Sequence, residues 1–128
     1  MTATLYVCTT CKAGEPAEAG RALPGARLHA ALQAALQAAM QAGGAPTGVR
    51  IVPVECLSAC NSGCAVSLVA PGAWCYVYGR LGEADADAIL QGAARYAATT
   101  DGLVPWRERP EIFRKQSLAR IPPMEPAR

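Results

Sequence analysis

The sequence predicts an α/β domain in which a strand–helix–strand crossover is followed by a cysteine-rich loop, a hairpin and a second helix, around a four-stranded mixed sheet. Three observations lead there. Short β-branched runs recur between turn signals, at residues 3–7, 49–54, 65–70 and 74–78. Leu28, Leu32, Leu36 and Met40 recur every fourth residue, marking one face of a helix. The cysteines fall into two groups, each directly behind a predicted strand.

The run ATLYV at 3–7 is the first strand. A loop rich in Gly, Pro, Ala and Glu follows, from Cys8 to about Pro24. A helix begins at Gly25, with its leucine stripe reading as core and Gln33, Gln37 and Gln41 as a polar margin. Gly43-Gly44 ends it and Pro46 prevents its return. VRIVPV at 49–54 is the second strand, with Pro53 marking an edge or terminus. AVSLVA and WCYVY form a hairpin across Pro71-Gly72. Glu83, Asp85 and Asp87 suit the positive end of a second helix, which packs through Ile89, Leu90, Ala93, Tyr96 and Ala97. The division expected is a domain over 1–102 and a tail over 103–128, with a short helix at 111–118 and an irregular end. A crossover of this length is right-handed and joins parallel strands. The whole is the element order of a thioredoxin-like fold.

Composition narrows the function classes. The 128 residues fit one domain, and the net charge of +2 argues for neither nucleic acid nor an anionic membrane as partner. No basic n-region precedes the first strand, and no stretch reaches the roughly 18 apolar residues of a membrane span, so a soluble, cytoplasmic protein is expected. The basic residues at 107–120 are interrupted by Glu108 and Glu111 and read as a solvated face. Trp74, Tyr76 and Tyr78 share one face of a strand; packing against a helix is the expected role, with a homodimer surface as the alternative.

Six cysteines in a reducing compartment point to metal or redox chemistry rather than disulfides. Parallel first and second strands place their carboxyl ends at one edge of the sheet, where α/β folds put their ligands. Cys8 follows the first strand and Cys56 the second, so their loops emerge side by side. Cys8 and Cys11 form a C-x2-C, and Cys56 and Cys60 a C-x3-C extended to Cys64. Thiolates select iron–sulfur clusters, zinc or copper(I), and four satisfy either a cluster or a structural zinc. Five candidates compete for four places: Cys8, Cys11, Cys56, Cys60 and Cys64. Gly63 would let backbone approach the centre closely. Cys75, inside a strand, reads as a small buried hydrophobe.

The segment Val54-Glu55-Cys56-Leu57-Ser58-Ala59-Cys60 after a strand resembles the second half-motif of the thioredoxin-like [2Fe–2S] ferredoxins. It also resembles the small subunit of the NADH-oxidising arm of respiratory complex I. The resemblance implies a [2Fe–2S] cluster on Cys8, Cys56 and Cys60, with Cys11 in the second place. Two residues between Cys8 and Cys11 are fewer than those families use, which brings Cys64 into contention. LYVCTTC, PVECLSAC, PGAWCYVYG and DGLVPWRERP resemble a bacterial family of small proteins described as predicted metal-binding or ferredoxin-like. Its members are often associated with cobalamin biosynthesis and cobalt-chelatase surroundings.

An electron carrier with a protein redox partner is therefore the leading expectation. Zinc binding or metal delivery through the same cysteines is the alternative, and a thiol–disulfide oxidoreductase using Cys8 and Cys11 the second. The Lys12–Leu23 loop counts against the last, because it separates Cys11 from the helix N-terminus that would activate it. No catalytic set assembles: His29 is the single histidine and falls on the first helix.

Overall fold

The computed structural model describes residues 1–12, 20–43, 48–58 and 63–124. Its elements are β1 (Ala3–Cys8), α1 (Pro24–Gln41), β2 (Val49–Val54), β3 (Cys64–Val69), β4 (Cys75–Leu81), α2 (Ala86–Ala97), α3 (Glu111–Lys115) and β5 (Ser117–Ile121). β1 and β2 are parallel, as their connection through a helix requires; β1–β3, β3–β4 and β4–β5 are antiparallel. The sheet order is β2-β1-β3-β4-β5.

The sheet has five strands, not the expected four. β5 comes from the stretch read as the end of a short helix: α3 stops at Lys115, and the chain then pairs with β4, Tyr76 opposite Arg120 and Val77 opposite Ala119. The sequence hides this strand because all five of its residues are exposed, so no alternation of burial marks it.

Pro24 at the first position of α1 supplies the preset φ that helix starts favour. Leu28 and Leu32 are fully buried, whereas Leu36 is half-buried and Met40 is 62% exposed. The leucine stripe is core only over its first two turns, because the helix outruns what it packs on. Ahead of α2, Asp85 accepts a hydrogen bond from the Gly82 N–H at 2.8 Å, and Glu83 and Asp87 stand near it as the dipole favours. α1 and α2 pack on each other and on β1, and α3 packs on α2. Leu5, Val7, Val66, Leu68, Ile89 and Tyr96 form the core between these helices and the sheet. Tyr76 and Tyr78 face the same side: Tyr78 stacks on Phe113 of α3 and Tyr76 meets Tyr96 of α2 edge-on. The alternating aromatics are thus packing residues. No described helix is long and apolar enough to cross a membrane.

Candidate metal centre

Strand direction decides where each cysteine lies. Cys8 ends β1, Cys56 follows the end of the parallel β2, and Cys64 opens the antiparallel β3, so all three belong to one end of the sheet. Cys75 opens β4, which runs antiparallel to β3, and so sits at the opposite end. Cys60, with the rest of 59–62, lies outside the described residues.

The two loops are fastened together. The Thr9 N–H and hydroxyl both donate to the Val54 carbonyl, at 2.9 and 3.1 Å, and the Thr10 hydroxyl donates to the Glu55 carbonyl. The Cys8 thiol lies 3.6 Å from the same Glu55 oxygen. Three thiols are then enclosed: Cys8, Cys11 and Cys64 are 4%, 3% and 1% exposed and belong to the continuous core. Cys11 donates to the Gly63 carbonyl at 2.6 Å, and its thiol also hydrogen-bonds Cys64. The contenders for one ligand place are therefore in contact. Cys56 is exposed, and its sulfur accepts the Ser58 N–H at 3.1 Å. Ser58 takes a left-handed φ of 55° to make that turn, uncommon for a residue other than glycine. Gly63, also left-handed at 70°, offers its carbonyl to the Cys11 thiol, and a Cβ there would stand 3.3 Å from the Arg80 Cα.

Electrostatics follow from this enclosure. Burial pushes the Cys64 thiol up to about 12, neighbouring Cys11 and Cys8 push it the same way, and Arg27 opposes them. A cationic group therefore stands within electrostatic reach of the thiols, and Arg27 is itself held by Glu83 at 3.6 Å. Metal ligation requires thiolates, and a metal ion supplies the positive charge that displaces such protons.

The first turn of α1 is the feature the sequence concealed. Although the Lys12–Leu23 loop is long, Gly25 returns to the cysteines: its N–H donates to the Cys11 carbonyl at 3.0 Å. A Cβ on Gly25 would overlap the Cys8 carbonyl oxygen and stand 3.1 Å from the Cys11 nitrogen. The expectation that the loop separates Cys11 from the helix N-terminus is thereby corrected. The available signal was the glycine itself, since a helical first turn tolerates one only at a cost unless something must approach closely. Arg27 left no signal, because only the fold brings its turn of α1 to the thiols.

Among the described residues, no group of three potential ligands stands close enough to share one metal ion. The chemistry of the donor set still fits a two-iron cluster. Such a cluster takes four cysteines, two on each iron, so pairs such as Cys11 with a neighbour meet its need where a single zinc would want all four converging.

The fold is that of the thioredoxin-like [2Fe–2S] ferredoxins. A solved structure of the Aquifex aeolicus thioredoxin-like [2Fe–2S] ferredoxin superposes with a TM-score of 0.59, at 17% identity, over 95% of this chain and 94% of that one. The Cys59Ser variant of the Aquifex aeolicus ferredoxin gives 0.57 at 16% identity, over 91% and 98%. The chain belongs to the family described as "Protein of unknown function (DUF1636)", whose model matches residues 5–123. No curated protein matches in sequence.

Proposed function

We propose that this chain holds a [2Fe–2S] cluster on Cys8, Cys11, Cys56 and Cys60, with Cys64 competing for the place of Cys11, and that it carries electrons between proteins. The observation that carries this reading is the gathering of thiols from two hydrogen-bonded loops at the carboxyl ends of β1 and β2. Its support from fold is likeness alone, since a fold hosts many functions. The cluster would supply one-electron chemistry at a potential tuned by charge, exposure and hydrogen bonds to sulfur. The chain's own contributions are the Ser58 N–H on Cys56 and the Arg27 charge behind the buried thiols. The donors to a cytoplasmic redox partner would meet it through a small, transient contact at this end. A place beside cobalamin biosynthesis rests on the sequence resemblance.

Zinc binding by the same cysteines is the second reading, and the thiol chemistry of the set favours it next. A thiol oxidoreductase is disfavoured by the enclosure of Cys11 and the raised Cys64, because such enzymes need an exposed, acidified nucleophile. Anaerobic purification with a visible spectrum and iron, sulfide and zinc analysis decides among them. A brown protein with equal iron and sulfide is expected. A colourless protein with zinc establishes the second reading, and one without iron or sulfide ends the first. Cys11→Ser and Cys64→Ser then assign the contested ligand.

A further inference from the structure

The segment after α2 closes over the aromatic side of the sheet and leaves a gap there. Tyr76 of β4 and Tyr96 of α2 line it from within, and Val104, Arg109, Pro110 and Phe113 from the closing segment. The gap measures about 10 Å³, the room one water-sized atom needs. The Tyr96 hydroxyl is already engaged, donating to the Trp74 carbonyl at 2.6 Å. Two other polar groups of the lining are not. Tyr76 is 4% exposed, and its buried hydroxyl has no partner among the described residues. Arg109 is half-buried, and only its Nε is spent, donating to the Val104 carbonyl at 2.8 Å. Its guanidinium carbon lies 5.6 Å from the Tyr76 ring centroid and 5.5 Å from that of Trp106. These contacts leave the terminal N–H groups of the fork for another acceptor. Among the described residues no carboxylate pairs with Arg109: neighbouring Glu108 turns to Arg95, and Glu111 to Lys115. The charge still reaches the interior, where it opposes the burial that pushes the Tyr78 hydroxyl up.

We propose that this gap is a binding site for a small monocarboxylate, one oxygen entering the void to accept from the Tyr76 hydroxyl while the Arg109 fork holds the carboxylate at the mouth. A buried hydroxyl without a partner and a guanidinium without an anion are each costly, and one ligand satisfies both. The planar fork matches a carboxylate, and its single charge matches a monoanion. A phosphate dianion brings a second negative charge that no other cation of the lining meets, and a head too large for a void of this size. The body of the ligand stays outside, against Val104 and the 58% exposed Trp106. Without ligand, one water takes the void. Binding ties the segment of Val104 and Arg109 to β4. The proposal is independent of the cluster, since Tyr76 follows Cys75 at the end of the sheet away from the thiols.

Amide NMR of the full chain tests it, with sodium acetate exchanged for sodium chloride at constant ionic strength and neutral pH. Saturable shifts are expected at the amides of Gly102, Val104 and Arg109, with a dissociation constant in the millimolar range. Arg109→Gln should weaken binding about tenfold or more, the loss of a charge-assisted hydrogen bond. Tyr76→Phe should weaken it about tenfold as well, and decides the matter if Arg109→Gln does not fold. In acetate-free buffer Tyr76→Phe should melt no lower than the unaltered chain, because its hydroxyl has no protein bond to lose. Shifts that do not saturate overturn the proposal, and so does acetate binding equally well to Tyr76→Phe. The absence of any shift on exchange, whether because chloride fills the site as well or because nothing does, also overturns it. A lower melting temperature for Tyr76→Phe without acetate gives the hydroxyl a structural partner and removes its role as a ligand donor.

Discussion

The thiol pocket and the aromatic stack are built from opposite materials. In the stack, Tyr78 lies 3.9 Å from Phe113 and 5.9 Å from Tyr76 between ring centroids, and Tyr96 closes on Tyr76 edge-on. Arg109 covers the Tyr76 ring at 5.6 Å. A void of about 10 Å³ remains among these side chains, room for one water. The Tyr76 hydroxyl has no protein partner among the described residues, so such a water would serve it. Large rings supply the packing area there. The thiol pocket has small side chains, backbone hydrogen bonds and a glycine where a methyl would not fit. Its enclosure opposes charge on Cys64, which a cation at the site would offset. The aromatic packing and the proposed cluster site therefore sit in separate regions, and substitutions should tell them apart.

The largest effect should come from Phe113→Ala. It removes a buried ring that also lies against Gly92 of α2, and about 3–5 kcal/mol should be lost in urea unfolding. Iron bound per folded molecule should not change; a parallel loss of iron would join the two regions. Gly25→Ala should act the other way. Its methyl must push the first turn of α1 off the Cys8–Cys11 loop, a strain of about 1–3 kcal/mol. Iron or zinc per folded molecule should fall sharply, and unchanged metal content would mean that α1 does not position the thiols.

The two regions should also separate in alkali. Burial raises the pKa values of Tyr78 and Tyr96 above their ordinary 10.0. Above that pH the unfolded chain loses protons that the folded chain keeps, so it binds fewer of them and stability falls as pH rises. Each tyrosine contributes up to about 1.4 kcal/mol per pH unit. Cys64 follows the same sign from its ordinary value of 9.0 towards about 12. In metal-free protein the decline should thus begin near pH 9 with the thiol pocket and steepen above pH 10 with the stack. Thermal melts of Cys64→Ala should show a later onset, and Tyr78→Phe a shallower slope above pH 10. One midpoint unaffected by either change would refute the separation.

How much of this was legible in the sequence depended on whether burial alternates along the chain. β1 and β4 declare themselves because burial alternates along them, β2 and β3 by their β-branched runs between turn signals, and α2 because Ile89, Ala93 and Tyr96 recur on its buried side. β5 does not: Ser117–Ile121 is exposed throughout and is a strand only because β4 offers it an edge. Met40 shows the reverse error, a periodic position with no core beneath it. The placement of Cys8 and Cys56 at one end of the sheet was readable because parallel strands force their carboxyl ends together, and Cys64 joins them by opening a strand antiparallel to β1. The closure of α1 on Cys11, and the approach of Arg27, depended on tertiary contact across a long loop, which no local pattern encodes.

Cys75 gives the smallest expected effect and the sharpest control. It shares its chemistry with the thiols of the pocket but opens β4 at the other end of the sheet. It is half-buried, where the sequence suggested a fully buried hydrophobe. Its thiol lies 3.5 Å from the Ala73 carbonyl, a bond that a serine hydroxyl can keep. Cys75→Ser should therefore cost less than about 1.5 kcal/mol, the net worth of one such hydrogen bond. It should leave iron and sulfide content and the visible spectrum as they are, while Cys8→Ser loses them. Loss of cluster in Cys75→Ser would mean that ligands are drawn from both ends of the sheet, and strand direction would no longer define the site.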